Sequence, residues 1–499
     1  MRKRILFFTV LIAILLILAG CRGTFEVSVE RTPTPNRQAE ATITALSKEN
    51  TRLAELLAAR ATPTTTPPNL GRIAYVQGGD IWTRTLPNEK PLRLTTDGRN
   101  REPRWSPTGN WLAFRRERQS IVQRQMPCEI PRARQELCLE PTLVIQNQVW
   151  LTEENGNNAL PINRSLSVDH VAWSPVRDKL AYVTAEGELH TINADGTGLQ
   201  ILNSINSADS TRGRTGRIAW SPDGNWIAYE WSIQNASESV SSSGIWKISA
   251  DGTARVELYA NSSPNRNTLI LAGWSSQGKH VLFWQNQSSL GTTIDSTHLY
   301  RIAANPGSST PSAIRLSAES TLPFADFAAP APLGTQHGIS ETVAIVIGAG
   351  QGTWSNKRID IVGVLSPQEY AAISPAWSPD GTRLAFAALP ERRDLGEPTL
   401  QELMQRHIWI ASTNATAVPQ MLTNNLSYRD EHPLWSMDGK QILFARIDTR
   451  GRASLWLVAL ENGGARQIVD ELTPAPDPIG TYGYVDWGEL FNWWRRGNG

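Results

Sequence analysis

Seven side chains recur at one fixed place in this chain, three residues before a tryptophan: Glu102, His170, Arg217, Leu271, Ser374, His432 and Tyr484. Six of them, Leu271 excepted, are of types that hydrogen-bond a polar ligand or move a proton near neutral pH. Asp169 and Glu431, one position earlier, set a carboxylate beside each histidine. A metal would require several such groups to converge to about 2 Å from one ion, and His170 and His432 stand in distant repeats. The expectation is therefore a polar funnel with Glu102, His170, Arg217, Ser374, His432 and Tyr484 as binding residues, and with no metal and no other cofactor.

No Gly-x-Ser-x-Gly elbow, His-Glu-x-x-His pair or phosphate loop occurs in the chain. The segment from Thr342 to Thr353 resembles a dinucleotide loop at first, but its third glycine is replaced by Thr353 and no helix pattern follows. It reads as a strand with a glycine-rich loop. No catalytic residue is assigned, and the chain is read as not an enzyme. A formal net charge of +1 supplies no field for nucleic acid.

The elements that would position these side chains are written in a repeat. Trp220-Ser221-Pro222-Asp223-Gly224 runs into Asn225-Trp226-Ile227-Ala228-Tyr229. This is a strand, a tight turn and a second strand: Pro222 presets the turn's φ, Asp223 bonds local backbone, and Gly224 accepts positive φ. Copies start at Trp105, Trp173 and Trp377, with weaker ones at Trp274 and Trp435, and in all six the aromatic closing the second strand lies nine residues after the Trp. Each hairpin is followed by an apolar pair such as Ile245-Trp246 or Leu455-Trp456, then by turn residues and one more short apolar run. Four strands per period of roughly 40–50 residues is the pattern of a propeller blade.

The fold class predicted is all-β, a single β-propeller of four-stranded blades over residues 70–491. A degenerate copy near Phe324 to Phe327 brings the count to eight blades; seven is the alternative if Pro323 to Val364 is an embellishment. The first blade begins at its second strand, Gly71-Arg72-Ile73-Ala74-Tyr75, and Tyr484-Val485-Asp486-Trp487 is expected to supply its missing innermost strand, so that the two chain ends share one blade. Residues 492–499 are then a C-terminal tail. Most of the 19 tryptophans fall at repeat positions and are accounted for as core anchors.

Ahead of the propeller, residues 1–20 carry Arg2, Lys3 and Arg4 followed by an apolar run, the form of a secretory signal. Residues 21–69 are a Thr/Pro-rich stalk. Within it, at about 38–60, Ile43, Leu46, Asn50, Leu53 and Leu57 give an amphipathic helix, either a plain spacer or a short oligomerising seam. Cys128 and Cys138 lie in a charged insertion between Phe114 and Val149, and in an extracytoplasmic protein two such cysteines most simply form a disulfide. The insertion reads as a solvated loop or a partner-binding arm on the same face as the funnel.

Two resemblances add to this. Leu18-Ala19-Gly20-Cys21 resembles the lipobox of bacterial lipoproteins, which implies a lipid on Cys21 and anchoring to a bacterial membrane in the cell envelope. The Trp-Ser-Pro-Asp-Gly phrase resembles the repeat of the TolB-type propellers, which implies the propeller fold. The same repeat serves peptidase and oligogalacturonate lyase propellers, so the resemblance leaves function open. The expected function is a non-catalytic scaffold that binds an envelope protein or glycan; the alternative is a carbohydrate-active, polysaccharide lyase-like enzyme using the funnel.

Overall fold

The computed structural model describes residues 69–127, 137–162, 167–203, 212–234, 240–261, 269–286, 297–305, 312–317, 319–333, 342–348, 358–360, 369–391, 399–413, 418–477, 479–480 and 483–495. The signal sequence, Cys21 and the stalk helix lie outside them. So does the expected disulfide, because Cys128 and the Cys138 side chain are both outside the description.

The described chain forms eight antiparallel sheets, seven of four strands and one of three, arranged as an eight-bladed propeller. The second blade starts at Asn100–Trp105, the third at Val168–Trp173, the fourth at Arg212–Trp220, the fifth at Leu269–Trp274, the seventh at Tyr370–Trp377 and the eighth at Tyr428–Trp435. Each of these innermost strands ends on its anchor tryptophan.

The repeat phrase has a physical reason at each position. In the fourth blade the Ser221 hydroxyl donates to Asp223 and accepts from the Trp226 N–H at 2.9 Å, while the Asn225 N–H donates to Asp223 at 3.1 Å. Gly224 sits at φ 68°, where a Cβ would be strained. Ser378 and Ser436 make the same bond to the N–H five residues on, each at 2.9 Å. The aromatics at the ninth position, Phe114, Tyr182, Tyr229, Phe283, Phe386 and Phe444, are all fully buried and form the blade cores.

The anchor tryptophans tie blade to blade. The indole N–H of Trp173 donates to the Arg104 carbonyl at 3.0 Å, Trp220 to Ala172 at 3.0 Å, Trp274 to Ala219 at 2.9 Å and Trp435 to Ala376 at 2.9 Å. In each case the acceptor directly precedes the anchor of the preceding blade. Trp377 donates to Ala329 at 2.8 Å, which identifies Pro330 as the residue occupying the anchor position in the sixth blade.

That sixth blade corrects one expectation. Ala325–Phe327 is a 3-10 turn, and the innermost strand is Ala328–Pro330, paired with Val343–Ile347 and then Arg358–Asp360. The eighth sheet is real, but its repeat phrase starts later than expected.

Closure is also achieved by a different strand. Phe491–Trp494, not Tyr484 to Trp487, pairs with Gly71–Gln77, with Trp493 opposite Ile73 and Phe491 opposite Tyr75. Trp493 is therefore the anchor of the first blade, and residues expected in the tail are the closing strand. Trp487 instead opens a 3-10 turn, Trp487–Glu489. Burial does not separate the two segments, since Tyr484, Val485 and Trp487 are buried as well; Phe491 and Trp493 alternate inward on one strand face, whereas the Asp486 side chain caps a turn by accepting the Gly488 N–H at 3.0 Å.

Candidate functional site: the channel mouth and the ribbon beside it

The innermost strands share a local irregularity. Their ladders slip between Arg101 and Arg104, Thr215 and Ile218, Leu271 and Gly273, Ile373 and Ala376, and Glu431 and Leu434. Each slip is a bulge. Glu102, Ser374 and His432 adopt φ of 51°, 53° and 52° at it, a region that non-glycine residues rarely occupy. Three of the predicted ring residues thus stand on a bulge that re-aims the side chain at one end of the central channel.

Contacts across the channel locate the others. The Arg217 guanidinium of the fourth blade reaches the Pro323 carbonyl ahead of the sixth at 3.5 Å. His170 has its pKa lowered, by burial first and then by the charge of Arg217, which favours the neutral imidazole. Glu230 accepts the Leu271 N–H at 2.6 Å and also the Arg217 N–H; burial raises its pKa against these bonds. Glu102 pairs with Arg115 at 2.7 Å.

The residue that sequence reasoning missed is Asp326. It lies 2.6 Å from His432 Nδ1, joining the sixth blade to the eighth. Burial alone would lower the His432 pKa, but Asp326, with Asp486 and Glu431 behind it, raises it overall. Tyr484 donates to the same carboxylate, and burial with the surrounding carboxylates drives its hydroxyl strongly toward the protonated form. A spacing rule could not find Asp326, because no tryptophan follows it.

Tyr484 is a correction as a ring member. With Trp493 as anchor, the position three before it in the first blade is Leu490. Tyr484 belongs to a strap, Gly483 to Glu489, that crosses the mouth. It stacks on Phe324 at 4.6 Å and meets Phe327 edge-on at 5.6 Å. The Gly483 carbonyl accepts from Arg406 of the seventh blade at 2.6 Å, and the Trp487 indole donates to Glu431 of the eighth at 3.1 Å. Glu489 reaches the second blade's side: burial, then the charges of Glu102 and Asp486, raise its pKa. Between strap and rim lies a cavity of about 340 Å³ lined by Asp477, Tyr484, Asp486 and Glu489. His170 lies near Arg217, and His432 and Tyr484 meet at Asp326, where the protein's own strap crosses.

Beneath the strap is a buried charge cluster. Glu431 contacts Arg406 and lies 2.8 Å from Arg429 Nε, and all three residues are almost wholly buried. Among the described residues no group of three or more His, Cys, Asp or Glu is arranged to hold a metal ion.

The insertion beside the mouth is not a loop. Strands Trp111–Pro127 and Leu137–Glu153 pair without interruption from Trp111 opposite Glu153 to Pro127 opposite Leu137, forming a ribbon that extends the second blade. No third strand pairs with residues 118–148 among the described residues. Its base adjoins the entrance to the innermost strand, where the Glu117 N–H donates to Arg99 at 2.9 Å and Arg101 donates to Asn147 at 3.0 Å. Ribbon and ring therefore share one face. On one side of the ribbon Ile121 lies opposite Leu143 and Gln119 opposite Ile145, and the three apolar residues are 72%, 57% and 53% exposed.

No family model matches the chain, and no curated protein matches it. Solved structures do. Dipeptidyl peptidase 4 of Porphyromonas gingivalis aligns with TM-score 0.52 and 10% identity over 81% of this chain and 60% of that one. An oligogalacturonate lyase in complex with manganese aligns at 0.42 and 10% identity over 82% and 87%, and TolB of Acinetobacter baumannii at 0.34 and 13% over 82% and 66%. The chain thus spans about 60% of the peptidase's length. The reading that the chain is not an enzyme is overturned: a dipeptidyl peptidase stands among its structural neighbours, so the fold is one that an enzyme uses. At this identity the likeness is one of fold.

Proposed function

We propose that this chain is a TolB-like propeller of the bacterial cell envelope, tethered by a lipid on Cys21, that binds an envelope protein or glycan through the face bearing the ribbon and the channel mouth. One observation carries this reading. The ribbon projects strand edges that no other strand among the described residues pairs, next to a cluster of exposed Ile121, Leu143 and Ile145. Open edges and large exposed apolar side chains are what monomeric proteins otherwise avoid, and they are the features by which a partner strand or apolar surface docks.

The test is capture from detergent-solubilised envelopes, comparing the intact chain with one in which residues 118–146 are replaced by Asn-Gly. That replacement joins Glu117 to Asn147, which are paired in the ribbon, so the base keeps its register. A partner retained by the intact chain and lost with the shortened ribbon is the expected result. Equal capture by both chains removes the ribbon from the reading.

A further inference from the structure

Past the anchor tryptophans, at the other end of the innermost strands from the ring residues, the turn Ser221 to Asp223 of the fourth blade and the turn Ser276 to Lys279 of the fifth border a cavity of about 530 Å³. One of its lining residues is anomalous. Lys247, on the third strand of the fourth blade, is only 3% exposed, yet forms no ion pair with any carboxylate among the described residues. Its ammonium donates to Asn305 at 2.8 Å and lies 3.9 Å from the centre of the Trp226 ring. An ammonium has three donors. One goes to Asn305, the indole face takes up a second side of the charge, and a donor remains on the cavity.

A buried lysine without a counter-ion is costly to the folded state. Burial pushes the Lys247 ammonium below the ordinary lysine range, and the more distant Asp223 opposes this. The rest of the lining is suited to a sugar: Trp226 and Trp274 supply apolar ring surface, Ser276 and Gln277 supply hydrogen-bonding groups, and Lys279 adds a second, exposed cation at the rim.

We propose that this cleft binds an acidic saccharide unit, its carboxylate or phosphate on the Lys247 ammonium and its ring against the tryptophan wall. The ligand supplies the negative charge that the fold omits around Lys247. Asp223 at the rim limits the net field of the lining to about one positive charge, so charge alone does not hold an inorganic anion, and contact between the sugar ring and the tryptophan wall is needed as well.

Calorimetric titration of the full-length chain in detergent with glucuronate, glucose 6-phosphate, glucose and inorganic phosphate tests this. Both acidic sugars bind, glucose does not measurably bind, and Lys247→Met weakens the acidic sugars by at least about tenfold, as expected for loss of a charged hydrogen bond. Which of the two binds more tightly identifies a carboxylate or a phosphate as the natural group. Lys247→Met is expected to fold, because it replaces a buried, uncompensated charge by an apolar chain of similar length. Lys279→Met, at an exposed position, provides a second reading and weakens binding less. Failure of both acidic sugars to bind, unchanged binding by Lys247→Met, or inorganic phosphate binding as tightly as glucose 6-phosphate overturns the proposal; the last outcome means an adventitious ion only.

Discussion

Asp326 and His432 meet from the sixth and eighth blades, and the contact makes part of the protein's stability depend on pH. The neutral imidazole gains less from Asp326 than the imidazolium does, so the folded-state pKa is raised above the ordinary value of 6.5. A group raised in the folded state stabilises fully below its unfolded pKa and loses that contribution as pH rises through the folded value. Asp486 and Glu431 act in the same direction, and Phe491 packs edge-on to the ring at 5.5 Å. His432→Gln should therefore be less stable than the parent chain at pH 6, and the gap should shrink above the raised folded value. Urea midpoints measured across that range check this; a gap independent of pH would mean that the ion pair contributes nothing. The ring was legible at His432 because its distance from Trp435 repeats. Asp326 was not, because Pro330 replaces the anchor and pairs with Val343 only after a long excursion, so the seven-residue step between anchor and partner is broken.

The strap and the ribbon are the two elements that repeat logic misread, for opposite reasons. Tyr484 to Trp487 carries the aromatic spacing of a blade strand, yet with Gly483 its polar contacts point at the sixth, seventh and eighth blades, and it is pinned as a crossing segment instead. The pin is Glu431, which is shared by Arg406, Arg429 and the Trp487 indole. Burial opposes its ionisation, but the charges of Arg429 and Arg406 hold its pKa below the ordinary range. Glu431→Gln removes the carboxylate charge that Arg406 and Arg429 share in the interior and should cost about 3–5 kcal/mol, the range for breaking a buried pair. Chemical denaturation measures that loss, and a change under about 1 kcal/mol would show that the cluster behaves like a solvated one. The ribbon, by contrast, hides its strand pattern. Ile121, Leu143 and Ile145 alternate as a strand requires, but they face solvent, and the Arg and Glu residues among them carry the composition of a loop. Periodicity reports a buried face; a ribbon with no core beneath it has none to report.

At the scale of the whole molecule the blade count and the sharing of one blade by both chain ends were readable, because a ring of sheets must leave no open edge. Which strand closes it was not, since Trp487 and Trp493 are both tryptophans in aromatic company and only packing separates them. Closure by Phe491–Trp494 seals both neighbours: the Trp105 N–H donates to Asn492 at 3.0 Å on the second-blade side, and Arg495 donates to the Trp435 carbonyl at 3.2 Å on the eighth-blade side. The Trp493 indole also donates to the Leu70 carbonyl at 3.0 Å, so the last strand holds the start of the propeller. Truncation after Leu490 removes the buried Phe491 and Trp493 together. Loss of one such side chain from a core costs about 3–5 kcal/mol, and the truncated chain should lose at least that much. It also exposes the inner edge of Gly71–Gln77, a strand with buried Ile73, Tyr75 and Val76 that would then seek a partner in another copy. Size-exclusion chromatography of the two chains side by side should show the truncated one shifting to larger, concentration-dependent species. Unchanged elution together with unchanged thermal stability would mean that the ring is held by its tryptophan-to-carbonyl contacts alone and that the closing strand is dispensable.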